Sequence, residues 1–280
     1  MKPAGVLPRR QRLAGLSFNR VLPNLMTLLG LCIGLSSIRL GLDGRYGAAV
    51  LAVSVSGVID GLDGRLARLL KATSRFGAEF DSLADFLCFG IAPALLLYIW
   101  SLEPWGAIGF LPPLMFTSAM ALRLARFNAT LDSAPKPAFA QNFFTGVPAP
   151  AGALLVLCPL FLGLAAGEHG LFGLQALVSY PLFTGAVMVG VALLCVSTLP
   201  VWSFKNFKIP AAEILPLLLG VVVFAALVFA DPYSAGALAG LAYVVMLPFS
   251  LRSYRKLARE AAAWRAGLVA GRGSEGDSSK

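Results

Sequence analysis

DGLDGRLARLLKATSRFGAEFDSLAD, at residues 60–85, holds four aspartates at fixed spacing. The surrounding chain is 58% hydrophobic and only 13% charged, whereas a soluble domain carries about 25% charged residues. A carboxylate inside an apolar membrane segment costs roughly 2.5–3.5 kcal/mol on insertion scales. Because four of them stand together here, something must compensate their charge, and a divalent cation is the simplest compensation.

Working outward from these acids, the 280-residue chain contains eight apolar runs near the length of about 20 residues that a bilayer core requires. They predict an all-α integral membrane protein whose single membrane domain covers residues 22–252. A basic lead-in at 1–21, with a short interfacial helix, precedes this domain, and a basic, partly disordered tail at 253–280 follows it. The predicted spans are residues 22–38, 47–67, 79–100, 106–126, 147–166, 173–199, 211–230 and 234–251.

The positive charges predict which side of the membrane each connection occupies. All lysines and arginines except Arg39 and Arg45 fall in the terminal regions or in the stretches after spans two, four and six. Cytoplasmic loops carry this kind of excess. We therefore expect both termini on the cytoplasmic side of the cytoplasmic membrane, with the net charge of +9 facing the lipid bilayer and its anionic headgroups, and no nucleic-acid partner.

The four aspartates form two pairs. Asp60 and Asp63 are three residues apart near the end of span two, and Asp81 and Asp85 are four apart at the start of span three, so each pair shares a helix face. Since the connection at 71–77 is short, the two spans are antiparallel neighbours and the pairs can face each other. Convergent carboxylates suit Mg²⁺ or Mn²⁺, and two such cations would balance their charge.

Small and basic residues surround the acids. Gly64, Ala67 and Gly77 keep the helix surfaces bare, which suits either close helix packing or the close approach of a ligand. Arg68 lies beside the carboxylates and is our candidate for a phosphate contact. Carboxylates, hard cations, small residues and an arginine at the membrane surface together favour phosphoryl transfer. A metal-ion transporter is the alternative from another class, although transporters usually hold such acids at mid-membrane; a noncatalytic lipid-binding subunit is a third.

The pattern D-x-x-D-G-x-x-A-R-x8-G-x3-D-x3-D resembles the signature of the CDP-alcohol phosphotransferase family, and this chain meets every fixed position. The resemblance implies an enzyme that cleaves the pyrophosphate of a CDP-linked lipid and joins the phosphatidyl group to an alcohol. It implies two divalent cations, Mg²⁺ or Mn²⁺, with Asp85 as general base and fourth metal ligand, space for cytidine at the small residues, and a homodimer. The metal ligands would be Asp60, Asp63, Asp81 and Asp85, and the nucleotide contacts within the signature Gly64, Ala67, Arg68 and Gly77.

Weaker strings resemble the branch of this family whose acceptor is serine. They are FGAEFDSLADFLCFGIAPA at 76–94, RLARFN at 123–128, TGVPAPA at 145–151 and STLP to SFK at 197–205. The branch implies that CDP-diacylglycerol and L-serine are the substrates and that phosphatidylserine and CMP are the products. The same chemistry with inositol phosphate, glycerol 3-phosphate or choline as acceptor remains open at this point.

Four further polar residues are candidate ligands. Asn24 and Thr27 in span one are either local helix caps or nucleotide contacts. Arg123 and Arg126 share a helix face at the end of span four, where their guanidinium groups suit the lipid phosphate or the carboxylate of an amino-acid acceptor. A role in membrane topology alone is the alternative for both arginines.

Overall fold

The computed structural model describes residues 18–131, 143–202 and 211–276, and these fold almost entirely into helices. Two short strands, β1 (Phe143–Thr145) and β2 (Pro200–Trp202), pair in antiparallel register. The prediction of an all-α membrane protein is confirmed at this level. The helices are α1 (Phe18–Leu42), α2 (Tyr46–Leu69), α3 (Arg75–Asp85), α4 (Ala92–Leu97), α5 (Gly106–Gly109), α6 (Leu111–Leu131), α7 (Ala149–Glu168), α8 (Phe172–Val178), α9 (Pro181–Val196), α10 (Ala211–Ala230) and α11 (Pro232–Gly276).

Within these described residues, six helical segments are long and apolar enough to cross a membrane. Helices α8 and α9, bent by 55° at their junction, make a seventh if they count as one span. Helix α6 covers the remaining predicted position with 21 residues, but two prolines and two arginines make it less apolar. The predicted positions therefore agree with the helices, and the count of eight spans remains a prediction. The six segments are Val21–Leu42, Tyr46–Leu69, Arg75–Gly109, Ala149–Glu168, Glu213–Ala230 and Pro232–Leu257.

Short connections bring α1, α2 and α3 together. Gly44 has a φ of +72° in the turn between α1 and α2, a conformation that glycine adopts without steric cost. Between α2 and α3, Ser74 caps the new helix, because its hydroxyl accepts a hydrogen bond of 3.0 Å from the backbone N–H of Gly77. The predicted antiparallel arrangement of the two acid-bearing helices follows from this tight turn.

The helical segment that begins with α3 is continuous but irregular. Widened π turns at Phe86–Ile91 and Tyr98–Leu102 flank α4, and a 3₁₀ turn at Glu103–Trp105 leads into α5. The first widened turn begins directly after Asp85, and its Gly90 lies against Met120 of α6. A π turn holds one residue more than an α turn, so the side chains beyond it are rotated relative to the acids.

Helix α7 forms the centre of the bundle. About three quarters of its span is buried (72%), and it packs against α2, α9 and α11. Its neighbours contribute large buried side chains, among them Phe89, Met120 and Met188. Helix α10 has the opposite environment: it packs chiefly against α11, and none of its span is buried. Of the acid-bearing helices, α2 packs against the buried helix α7.

The two terminal segments were predicted to be an interfacial helix and a partly disordered tail. The interfacial helix expected at 1–21 falls largely outside the described residues, and α1 already begins at Phe18. At the other end, α11 runs without a break to Gly276, through the tail predicted to be partly disordered. Its alanines at 261–263, 266 and 270 favour a helix, which explains the difference from the prediction.

Candidate active site

Three of the four aspartates converge. One carboxylate oxygen each of Asp60, Asp63 and Asp81 lies within 4.8 Å of the others, with Asp63 buried and the other two half-buried. The carboxyl groups of Asp85 and Asp60 interact electrostatically. Carboxylates this close repel each other unless a proton or a cation lies between them. The donor set consists of hard oxygens, so Asp60, Asp63 and Asp81 fit a divalent cation such as Mg²⁺ or Mn²⁺.

Asp85 differs from the other three acids. Its Oδ1 atom is buried and has no hydrogen-bond partner among the described residues. A buried oxygen without a partner is rare in folded proteins and needs an explanation. This carboxylate oxygen is therefore free to accept a hydrogen bond from a ligand.

Thr27 connects α1 to this cluster. Its hydroxyl lies 2.6 Å from Oδ2 of Asp63, to which it donates, and 3.2 Å from the carbonyl oxygen of Pro23. A hydrogen bond to a charged group is among the stronger ones in proteins. Thr27 therefore holds one carboxylate of the cluster in place, in addition to facing the neighbouring cavity.

A cavity of about 400 Å³ opens beside Asp63 and Asp81. This volume lies in the range of known small-molecule sites. Every residue predicted as a nucleotide contact lines it, namely Asn24, Thr27, Gly64, Ala67, Arg68 and Gly77. The cavity therefore joins the converging acids to a single space between α1, α2 and α3.

The two glycines that line the cavity, Gly64 and Gly77, have different structural roles. A Cβ atom built at Gly64 would meet nothing within 4 Å, so its missing side chain leaves open space for a ligand. A Cβ atom at Gly77 would lie 3.0 Å from Oδ1 of Asn24 and 3.1 Å from Oγ of Ser74. Gly77 thus allows α1 to approach the capped start of α3 closely.

Some residues of the site were missed by the sequence reasoning. Ser74 lines the cavity, and a serine directly before a helical run is a recognised start signal that would have found it. Ser56 and Cys88 line a narrow recess together with Asp60 and Asp85. The hydroxyl of Ser56 donates to the carbonyl oxygen of Gly30 at 2.9 Å, and nothing in the local pattern marks Ser56. Cys88, in contrast, stands within the FGAEFDSLADFLCFGIAPA string, where similar enzymes often have serine.

The two predicted acceptor arginines both donate to backbone carbonyls. Arg123 donates through Nε to the carbonyl oxygen of Val147, and Nη1 of Arg126 donates to that of Val196 at 2.8 Å. Their surroundings differ, because Arg123 is half-buried and interacts electrostatically with Asp85, whereas Arg126 is exposed. The structure thus brings Arg123 towards the acids and places Arg126 at the end of α9.

The weaker strings of the sequence meet in space. The backbone N–H of Gly146 donates to the carbonyl oxygen of Leu199 at 2.8 Å, which extends the pairing of β1 with β2. Ser250 of α11 donates to the carbonyl oxygen of Pro200 at 2.9 Å. From RLARFN, Asn128 donates to Oγ of Ser82 in α3 at 3.0 Å. The strings thus form one structure around the ends of α6, α7 and α9.

Comparisons with known proteins identify the family of the chain. The family model described as CDP-alcohol phosphatidyltransferase matches residues 20–196. A CDP-diacylglycerol–serine O-phosphatidyltransferase from Mycobacterium bovis is 37% identical over 88% of this chain and 83% of its own length. One from Helicobacter pylori (strain J99) is 37% identical over 76% and 83%. An archaetidylserine synthase from Methanothermobacter thermautotrophicus is 34% identical over 48% of this chain and 55% of its own.

Proposed function

Because the chain belongs to the CDP-alcohol phosphatidyltransferase family, we propose that it transfers the phosphatidyl group of CDP-diacylglycerol to the hydroxyl of L-serine, giving phosphatidylserine and CMP. The observation that carries this proposal is the convergence of Asp60, Asp63 and Asp81 beside the cavity that the nucleotide residues line. The acceptor rests on the relatives, whose names specify serine.

The nucleotide half of the site consists of the cavity and its acids. CDP-diacylglycerol places its cytidine and pyrophosphate in the cavity between α1, α2 and α3 and leaves its acyl chains in lipid. Asp60, Asp63 and Asp81 would hold two divalent cations, Mg²⁺ or Mn²⁺, with Asp85 at the edge of the set. When bound, such cations neutralise the phosphate oxygens and stabilise the charge that develops during transfer. Arg68, in the cavity wall, supports the departing phosphate of CMP.

Asp85 is the general base of the proposed reaction. Its unpartnered oxygen takes the proton of the serine hydroxyl, whose oxygen attacks the phosphorus that bears the diacylglycerol. The bond from that phosphorus to the oxygen of CMP breaks, and CMP leaves with the bonding electrons. Thr27 keeps Asp63 oriented throughout, and Arg123 offers positive charge to the acceptor on the side of Asp85.

The proposal includes a topology and an assembly. We place the enzyme in the cytoplasmic membrane with eight spans, counting α6 and the bent α8–α9 pair, and with both termini and the active site on the cytoplasmic side. The distribution of lysine and arginine along the chain supports this orientation. We further propose that residues 22–252 form the membrane domain, with a basic segment on each side of it in the sequence. Two copies of the chain would assemble into a homodimer.

Purified full-length protein provides the test. It is incubated with CDP-diacylglycerol, Mg²⁺ or Mn²⁺, and one alcohol at a time from serine, inositol phosphate, glycerol 3-phosphate and choline, and CMP release is measured. We expect release with serine alone and its loss on chelation of the cation. Release only with another alcohol would keep the reaction class and contradict serine. Absence of release with every alcohol would contradict the proposed function.

A further inference from the structure

Tyr243 of α11 carries a polar group that the proposed mechanism does not use. Its hydroxyl oxygen is buried and makes no hydrogen bond with any described part of the chain. The only other side-chain atom in this state within the described residues is Oδ1 of Asp85. Buried hydroxyls are ordinarily paired, so the phenol of Tyr243 needs an explanation of the same kind as the catalytic carboxylate.

The position of Tyr243 on α11 turns it towards the protein. Gly236 and Gly240 of the same helix lie against Phe161 and Cys158 of α7. Tyr243 follows at a spacing of three and seven residues and therefore shares their face. Two turns further along this face, Ser250 is buried, and its hydroxyl donates to the carbonyl oxygen of Pro200 in β2. The hydroxyl of Tyr243 thus faces the bundle interior, between α7 and the strand pair.

Arg123 is the residue that relates Tyr243 to the catalytic acids. Its guanidinium interacts electrostatically with Asp85 and also with Tyr243. The bond from Nε to the carbonyl oxygen of Val147 holds this group in place. A guanidinium has five N–H donors, so this bond engages only one of them. Two buried oxygens without partners therefore lie within electrostatic reach of one anchored arginine.

We propose that Tyr243 and Arg123 together bind the carboxylate of the amino-acid acceptor, an inference that rests on the proposed function. The phenol O–H donates to one carboxylate oxygen, and the guanidinium donates to the carboxylate as well. The negative charge of Asp85 repels the acceptor's carboxylate, so the acceptor's hydroxyl lies towards Asp85. The unpartnered oxygen of Asp85 then receives the proton of that hydroxyl. An alcohol without a carboxylate, such as choline, cannot make these two contacts, so the pair favours an amino-acid acceptor.

The first test removes the phenol oxygen and nothing else. For Tyr243→Phe we expect the KM for serine to rise roughly ten- to a hundred-fold, as expected for a lost hydrogen bond to a charged group. The KM for CDP-diacylglycerol and the thermal stability should not change, because the hydroxyl has no hydrogen-bond partner among the described residues. Tyr233→Phe is the matched control: it lies on the same helix, its hydroxyl lies against Gly47, and it should leave the serine KM unchanged.

The second test asks which group of the acceptor Tyr243 recognises. Serinol (2-amino-1,3-propanediol) carries a hydroxymethyl group in place of the carboxylate of serine. The wild-type protein should prefer serine in kcat/KM, and Tyr243→Phe should lower that preference by the factor lost with serine, because serinol does not use the contact.

Three results would overturn the inference. They are an unchanged KM for serine in Tyr243→Phe, an equal loss with serine and serinol, and a marked loss of thermal stability, which would show that the hydroxyl has a structural partner. Failure of the proposed function is distinguishable, because the wild-type protein would then release no CMP with serine.

Discussion

The nucleotide half and the acceptor half of the proposed active site are built in different ways. The nucleotide half comes from three consecutive helices, α1 to α3, and its walls include small residues that leave a cavity open. The acceptor half combines α6, the turn before α7, the end of α9 and α11, and its arginines donate to backbone carbonyls. Substitutions in the first half should therefore act on the ligand, whereas substitutions of the two arginines in the second should also change stability.

The largest effect should come from the residue between the two halves. Asp85→Asn retains the shape of the side chain but removes the base, so kcat for CMP release should fall by about 10²–10⁴-fold. Binding of CDP-diacylglycerol, measured by equilibrium titration, should be retained. Asp43→Asn, in the turn between α1 and α2 where Asp43 pairs with Arg39, is the control and should leave kcat unchanged. Turnover that survives in Asp85→Asn would contradict its assignment as base.

The open space at Gly64 allows a test of the nucleotide half alone. A Cβ atom at Gly64 meets nothing within 4 Å, so Gly64→Leu should fill cavity volume and raise the KM for CDP-diacylglycerol about ten- to a hundred-fold, with little loss of thermal stability. Gly61→Leu is matched, since a Cβ atom there also meets nothing within 4 Å but the residue lies outside the cavity. If both variants bind CDP-diacylglycerol like the wild-type protein, the cavity is not the nucleotide site.

In the acceptor half, Arg126→Gln should mainly lower the thermal stability of the protein. The lost bond to the carbonyl oxygen of Val196 should cost about 1 kcal/mol, because the side chain is exposed. Thermal unfolding in detergent would show this loss, and the KM for CDP-diacylglycerol should stay constant. Arg65→Gln, which removes an exposed arginine from α2, is the control for charge. A raised KM without a stability loss would instead make Arg126 a phosphate ligand.

The smallest effect is expected far from both halves. The side-chain and backbone groups of Ser234, followed by His169, lower the pKa of Asp231 from 3.8 to about 2. Asp231 also caps α11 by accepting a 2.9 Å bond from the N–H of Ser234. Its charge therefore stabilises the fold above about pH 4, and this contribution disappears as the pH falls towards 2.

Two substitutions separate the charge of Asp231 from its capping role. Asp231→Ala should cost about 1 kcal/mol at pH 7, whereas Asp231→Asn keeps a good cap. Unfolding temperatures recorded from pH 7 to pH 2 should fall less steeply for Asp231→Asn than for the wild-type protein. CMP release at pH 7 should be unchanged in both variants, and a change would mean that this end of the molecule is coupled to the active site.

Features that depend on neighbouring residues could be predicted from the sequence. The span predicted at 211–230 coincides with α10, and the predicted 47–67 lies within α2. The four predicted nucleotide contacts of the signature, Gly64, Ala67, Arg68 and Gly77, fall in one cavity because the signature fixes their helical spacing across a single short turn. The individual roles of the four acids are still predictions, since the geometry brings them together without assigning a function to each.

Features that depend on distant contacts could not be predicted. Arg126 meets the carbonyl of Val196, 70 residues away, and one backbone carbonyl looks like any other in a sequence. Tyr243 is one aromatic residue in an apolar helix, and only the packing of α11 on α7 turns it inward. In each case the tertiary structure, and not the local pattern, determines the outcome.

The widened turn directly after Asp85 constrains how this chain can change in length. It holds one residue more than a regular helical turn at the same place. Deleting that residue would rotate the rest of the span by about 100° relative to the acids, and would move Gly90 away from Met120. Insertions and deletions in related sequences should therefore occur in loops and be absent from these six residues. The segment would then serve as a gap-free reference for aligning those sequences.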